Sequence, residues 1–368
     1  MANKYRADHV GSFLRPKALL DAWRAPDASP AEREHMEDEC ILRVLEQQKS
    51  RGLTIFTDGE FRRTDFMGGF YASVEGLDRT DAVARAWAGA PGVKPATAGI
   101  PGVVKERIRK TRRLTSHEVA FLKRRSPGDI KVTLPSANQF PAITYKKGIS
   151  DKVYPTYSDY LWDIVPIIRS EIRALAEEGV HYIQIDAPRY SYFIDPKWRS
   201  FVKNEMGVEP ERALDEAIRA DDACLEGIPR GRCIIAIHLC RGNNRSQWYA
   251  EGGYDPIAET LFNQLNVDRF LLEYDSERAG TFEPLRFVPP DKSVVLGLIS
   301  TKVPQMERQD QILRRIEEAS RYVPLDMLAL SPQCGFASNL EGNLLTEDDQ
   351  WRKIDLLVST ARKVWDMP

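Results

Sequence analysis

Short runs of aliphatic and β-branched residues alternate along the chain with longer segments whose apolar positions return every three or four residues. The short runs predict strands at 7–12, 53–58, 130–134, 181–186, 233–239, 269–274, 293–299 and 327–331. The longer segments predict helices, among them 31–49, 160–178, 211–226, 310–321 and 348–364. Eight strands joined by helical crossovers predict an α/β fold, a (β/α)8 TIM barrel built as one catalytic domain over residues 1–368. One connection is much longer than the rest. Between the second and third strands, residues 66–128 hold a Gly/Pro-rich stretch (89–102), a basic run (105–113) and a short helix expected to be capped by Ser116. An insertion of that length inside a compact domain predicts a lid or small subdomain.

Composition narrows the class. The chain is 42% hydrophobic and 29% charged with a net charge of -2, enough apolar material for a large core and no excess of either sign. Neither nucleic acid nor an anionic membrane surface is implied as a partner, and the basic run reads as a solvated face offset by acids. No apolar stretch approaches the ~18 residues of a membrane span. The first residues carry no apolar signal core, so a cytoplasmic location is expected. Five scattered cysteines, Cys40, Cys224, Cys233, Cys240 and Cys334, predict reduced thiols and a metal site rather than a disulfide framework. Nothing in the residues speaks to oligomeric state.

In a (β/α)8 barrel the chemistry sits where the strands end. Gly11 and Ser12, Glu60, Ser136, Asp186, His238 and Cys240, Glu273, Lys302 and Cys334 all fall at such ends. His238 and Cys240 are two apart, hence on one side of their strand. Glu273 closes the next strand and Cys334 follows the last. One imidazole, one carboxylate and two thiolates suit tetrahedral Zn²⁺ and disfavour Mg²⁺ or Ca²⁺. Each residue also admits a plainer reading. His238 and Cys240 can be a packed pair, and Glu60 and Asp186 can be ion-paired to Arg62 or Arg189. Lys302 can be a solvent-exposed loop residue, and the zinc can be structural. Cys40, Cys224 and Cys233 read as core; alternation puts Cys233 with Ile235 and Ile237, opposite His238.

The stretches His9-Val-Gly11-Ser12-Phe, Thr57-Asp-Gly59-Glu60-Phe-Arg62-Arg, Ile183-Gln-Ile-Asp186, His238-Leu-Cys240, Leu272-Glu273 and Cys334-Gly335 together resemble one family. It is the cobalamin-independent methionine synthases, in their C-terminal catalytic barrel and particularly the shorter single-barrel branch. The resemblance implies that His238, Cys240, Glu273 and Cys334 bind catalytic zinc. It implies that Gly11 and Ser12 hold a substrate carboxylate through backbone donors and that Glu60 and Asp186 hold its amino group. The implied activity is methyl transfer to a small-molecule thiol, homocysteine or a relative, activated as a zinc thiolate, with a methyl donor as second substrate.

The chain leaves the family pattern in three places. Asp186-Ala-Pro-Arg189 stands where the family has Asp-Glu-Pro, and Leu134-Pro-Ser136-Ala-Asn138 where a folate-stacking tryptophan is expected. Leu298-Ile-Ser300-Thr301-Lys302 replaces a segment carrying a proton-donating histidine. Lys302 is therefore expected to face the pocket as a proton donor or anion clamp, and Glu273 to be the ligand that moves when the thiol arrives. The thiol-activating half matches the family and the folate half does not, which leaves the donor open. The competing reading is alkyl transfer to a zinc-bound thiol of the epoxyalkane:coenzyme M transferase type. Arg15, Arg189 and Arg241 are then the candidate anion holders.

Overall fold

The structure, a computed structural model, describes residues 4–89, 94, 96–99, 101–229, 231 and 233–366. Strands Ile55–Phe56, Asp129–Pro135, Tyr182–Asp186, Ile234–Leu239, Arg269–Glu273, Ser293–Ile299 and Leu328–Pro332 pair in that order, each parallel to the next. The N-terminal segment takes the eighth place. Ala7 bridges Leu330 in parallel. Beyond it, the Phe13 N–H donates to Gly59 O on the other side at 3.2 Å, which closes the (β/α)8 barrel. The expected first strand is thus reduced to a single bridge. Tyr5 (φ 57) and Gly11 (φ 132) both leave the extended region, so no ladder can run between them. The second strand is cut short for a similar reason: Gly59 (φ 72) and Glu60 (φ 60) turn the chain at the barrel mouth.

Helices Pro30–Ser50, Tyr157–Glu177, Pro210–Ala223, Gln309–Ala319 and Glu347–Trp365 lie where the apolar periodicity puts them. Three of them open with reciprocal caps, Ser29 with Glu32, Thr156 with Asp159 and Thr346 with Asp349, each contributing about 1 kcal/mol. Helices Lys17–Arg24, Pro196–Asn204 and Ala258–Gln264 are too short to show a period. Among the described residues no helix is long and apolar enough to cross a membrane.

The insertion differs from a loop with one helix. Val74–Ala82 pairs antiparallel with Pro101–Lys110. Arg85–Gly89 pairs with Ala96–Ala98 and with Gln247–Trp248, a segment that follows the fifth barrel strand. Val74–Ala82 and Pro101–Lys110 carry charge on both faces, which hides their alternation in the sequence, and Arg85–Gly89 and Ala96–Ala98 are short and half-exposed. The basic run is neutralised across the ribbon and beyond: Lys105 meets Asp78, Arg109 meets Glu75, and Lys110 and Arg113 meet Glu171. Ser116 does not cap the helix Ser116–Arg125; Thr115 holds that position, and its hydroxyl is drawn to Glu171 instead at 2.8 Å. Residues 90–93, 95 and 100 of the Gly/Pro-rich stretch lie outside the described residues.

Candidate active site

Strand alternation decides which side chains reach the barrel mouth. Tyr182, Ile234, Ala236 and Leu271 pack together in the lumen with Val295 and Ala329. Cys233, Ile235, Ile237 and Leu239 join the core under the helices, as do Cys40 and Cys224. Continuing the period of two carries Asp186, His238 and Glu273 up the lumen side. Asp186 stands opposite His238 in register, and Leu272 opposite Leu239, so Glu273 is set beside Cys240.

The ligand atoms of His238, Cys240 and Cys334 all lie within 4.8 Å of one another, and the three residues are buried. Cys334 arrives through a register shift of the last strand between Gly297 and Ile299, where the Gln333 N–H donates to Ile299 O at 2.9 Å. The approach needs glycine. A Cβ on Gly297 would sit 2.8 Å from Gln333 Cα, and one on Gly335 would sit 2.0 Å from Ser12 Oγ. His238 Nδ1 is 3.0 Å from Asp186 Oδ1, which also accepts from Gln184 Nε2 at 2.8 Å. The other ring nitrogen is thereby left on the side of Gln333 and Cys334.

The charges of the cluster are tightly coupled. The Cys240 thiol, hydrogen-bonded to Cys334, holds Cys334 well below the usual thiol range against the effect of burial, with His238 and Lys302 adding to it. That same bond, then burial, pushes Cys240 up. Burial opposes a charge on His238, but Asp186 and Cys334 outweigh it and lift the imidazole to about 10. Two sulfurs and an imidazole oriented by a carboxylate are the donor set of a zinc site, so the residues fit that ion.

Of the four expected ligands, Glu273 is not gathered into the cluster. Its Oε1 accepts from Arg278 Nη2 and Nε at 2.7 and 3.0 Å, and its Oε2 from the Arg241 N–H at 2.8 Å. Burial would raise its pKa, but Arg278, Lys302 and Arg241 keep it lowered.

Lys302 is not an exposed loop residue. It is buried, lies outside the cavity lining, and donates from Nζ to Gly242 O at 2.8 Å, Asn243 Oδ1 at 3.1 Å and Gln247 O at 3.3 Å. An ammonium has three N–H groups, and all three are committed. In this arrangement Lys302 pins a loop in which Arg245 (φ 49) and Ser246 (φ 65) are held in the left-handed region. Lys302→Met is expected to cost about 1–3 kcal/mol for the buried acceptors it strands. It should lower turnover with a methyl-folate and with methylcobalamin by the same factor. Steady-state rates with the two donors check this; a loss confined to the folate would restore the acid.

A cavity of about 380 Å³ opens on the cluster, with Ser12, Glu60 and Asp186 in the same wall as His238, Cys240 and Cys334. Glu60 is buried in left-handed conformation, its Oε1 accepts from Thr133 Oγ1 at 2.7 Å, and its Oε2 is buried without a partner. Burial, opposed by Arg63 and reinforced by Asp186, pushes its pKa up to about 7. The ion pairs considered from sequence do not form: Arg62 goes to Glu37 and Asp38, and Asp186 goes to His238. The Gly11 and Ser12 N–H groups donate to no atom of the described residues, although only Ser12 lines the cavity. Ser136 is turned away, its hydroxyl donating to Asp221 at 2.7 Å. The insertion contributes Val83, Arg85 and Trp87 to the cavity, none of which the sequence singles out.

Residues 8–346 match the family described as cobalamin-independent synthase, catalytic domain. A protein of Bacillus subtilis (strain 168), the uncharacterized YxjH, is 38% identical, with 98% of this chain and 95% of that protein covered. A Listeria monocytogenes protein, provisionally assigned as a vitamin-B12 independent methionine synthase, superposes with a TM-score of 0.72 at 29% identity, covering 98% of each chain. A B12-independent methionine synthase from Shewanella sp. W3-18-1, solved with selenomethionine, gives a TM-score of 0.73 at 19% identity over 97% of each chain, a likeness of fold.

Proposed function

The chain belongs to the cobalamin-independent synthase catalytic-domain family, and on that premise we propose that it is a zinc-dependent thiol S-methyltransferase. It moves a methyl group from a small-molecule donor to homocysteine or a related thiol, giving methionine or an analogous thioether. One observation carries the reading. His238, Cys240 and Cys334 converge within 4.8 Å at the wall of a cavity that also presents the unpartnered Glu60 oxygen. The assignment of the Listeria protein supports it.

His238, Cys240 and Cys334 would hold zinc, and Glu273 would be the candidate for a fourth donor, though here it is held by Arg278 and the Arg241 N–H. Zinc bound there lowers the pKa of a coordinated thiol, so that a thiolate nucleophile is available at neutral pH. The chain's own groups do the rest. Asp186 occupies His238 Nδ1 and so fixes which ring nitrogen is free to ligate. Glu60 takes the ammonium of the thiol substrate, together with the cavity side of Asp186. The Gly11 and Ser12 amides take its carboxylate. The insertion, through Trp87 and Val83, acts as a lid that limits water at the reacting sulfur.

A pH dependence follows from Glu60. Only its ionised form pairs with an ammonium, and its pKa stands at about 7. Ionisation of Glu60 should therefore contribute about a tenfold fall in homocysteine affinity from pH 8 to pH 6, on top of the proton released by the thiol, and Glu60→Gln should lose that share and show a shallower slope. Calorimetric titration across that range checks it, and a flat profile in the wild type contradicts it. The competing reading, a thiol bearing a sulfonate, is opposed by Glu60 and Asp186, although Arg189 in the same lining could face such a group. The deciding experiment crosses homocysteine, coenzyme M and glutathione with methyl-folate, methylcobalamin and simple epoxides on the zinc-loaded protein. Mass spectrometry should find a thioether of homocysteine; a coenzyme M product formed with an epoxide instead would favour the competing reading.

A further inference from the structure

Among the described residues, the buried or largely buried guanidinium groups of the barrel face acids or donate to backbone carbonyls, although Arg15 Nε and Arg241 Nη1 also lack a partner. Arg63 faces Glu118 at 2.6 Å, Arg269 faces Asp8 at 3.4 Å, and Arg278 faces Glu273 at 2.7 Å. Arg15 donates to the carbonyls of Glu60, Arg63 and Asn339, and Arg241 to that of Gly252, with Glu273 close by. Arg189 is different. It is 5% exposed, lines the cavity, and among the described residues forms no ion pair with a carboxylate and no hydrogen bond to a carbonyl. A guanidinium carries five N–H groups. Here Nη1 donates to Tyr192 OH at 3.0 Å, and Nε is buried with no partner.

The rings of Tyr249 and Tyr192 lie 4.5 and 5.0 Å from Arg189 Cζ and hold its plane, yet bring no formal negative charge. Removing an unpaired cation from water costs several kcal/mol. A fold that retains one at a cavity wall has a use for it. The surroundings of Arg189 are also not those of the thiol's head group. Tyr249 meets Trp87 of the insertion edge-on at 5.1 Å, and Arg85 of the same insertion strand reaches the cavity with its Nη groups on the carbonyls of Ala84 and Ala142.

We propose that Arg189 is the binding residue for a carboxylate carried by the alkyl donor, and that the donor is a small anionic molecule whose apolar part lies against Trp87 and Tyr249. The proposal rests on the methyltransferase reading, because it assigns the second substrate of that same cavity. A carboxylate takes two parallel N–H bonds from a guanidinium edge, the geometry that Arg offers and Lys does not.

Calorimetric titration of the zinc-loaded protein with benzoate and its neutral isostere benzamide, in saturating homocysteine, tests the assignment. The wild type should bind benzoate tighter than benzamide by about tenfold or more. Arg189→Met should lose the preference while its zinc content and homocysteine affinity stay at wild-type levels. No preference in the wild type overturns the proposal. So does loss of zinc from Arg189→Met, which would show the guanidinium serving the thiolates. If Arg189→Met weakens homocysteine but not 3-aminopropanethiol, the carboxylate belongs to the thiol, and the donor assignment falls. Should Arg189→Met fail to fold, Arg189→Lys carries the test: a weakened anion preference supports the proposal and an unchanged one overturns it. If the wild type binds neither zinc nor homocysteine while the benzoate preference still depends on Arg189, the methyltransferase reading fails and the anion site stands.

Discussion

Substituting His238→Ala, Cys240→Ser or Cys334→Ser is expected to take the protein from about one zinc per chain to almost none, and to abolish thiol alkylation. The three ligand atoms lie within 4.8 Å of one another, so each variant removes a donor from a set that has no spare. Glu273 cannot readily replace a missing sulfur, because both its oxygens are held, one by Arg278 and one by the Arg241 N–H. Cys233→Ser is the matched control. That thiol is buried on the helix side of the same strand with Ile235 and Ile237, and its loss should leave the metal content unchanged. Elemental analysis of the purified variants reads both outcomes, and full zinc retention in Cys334→Ser would break the cluster apart.

Asp186→Asn and Glu60→Gln should separate two roles that the sequence groups together. Asp186 touches His238 Nδ1, so its amide is expected to cost about 10–100-fold in zinc affinity by loosening the imidazole. Glu60 touches no ligand; its bonds are to Thr133, with Arg63 at 3.9 Å. Its amide should keep the zinc and weaken an amine-bearing thiol by about 1.5–3 kcal/mol, the worth of a charged hydrogen bond. A thiol without the amine should be unaffected. Competition for zinc against a chelator measures the first effect and calorimetry the second. Equal losses of both thiols in Glu60→Gln would make that carboxylate structural.

The convergence of His238 and Cys240 at the barrel mouth was legible because it depends on local rules. A separation of two on a strand puts His238 and Cys240 on one side whatever the tertiary context, and parallel register carries Asp186 and Glu273 to the same mouth. What depends on distant partners was not. Lys302 finds its acceptors in a loop about sixty positions earlier, two of them backbone carbonyls that no side-chain pattern reveals. Glu273 is drawn back by Arg278, whose reach is set by the turn between them. The first strand is reduced to one bridge by the positive φ of Tyr5 and Gly11, a backbone property that composition does not encode at Tyr5. The insertion's ribbon escaped notice because Val74–Ala82 and Pro101–Lys110 carry charge on both faces, and Arg85–Gly89 is too short to show a period, so Arg85 and Trp87 of the cavity wall went with it.

The central claim is that the substrate sulfur joins His238, Cys240 and Cys334 on the metal. Zinc K-edge X-ray absorption on the loaded protein, with and without homocysteine, tests it most directly. The account predicts two sulfur neighbours at ~2.3 Å in the protein alone, from Cys240 and Cys334, and three when homocysteine is present. A sulfur count that stays at two with homocysteine bound would contradict it.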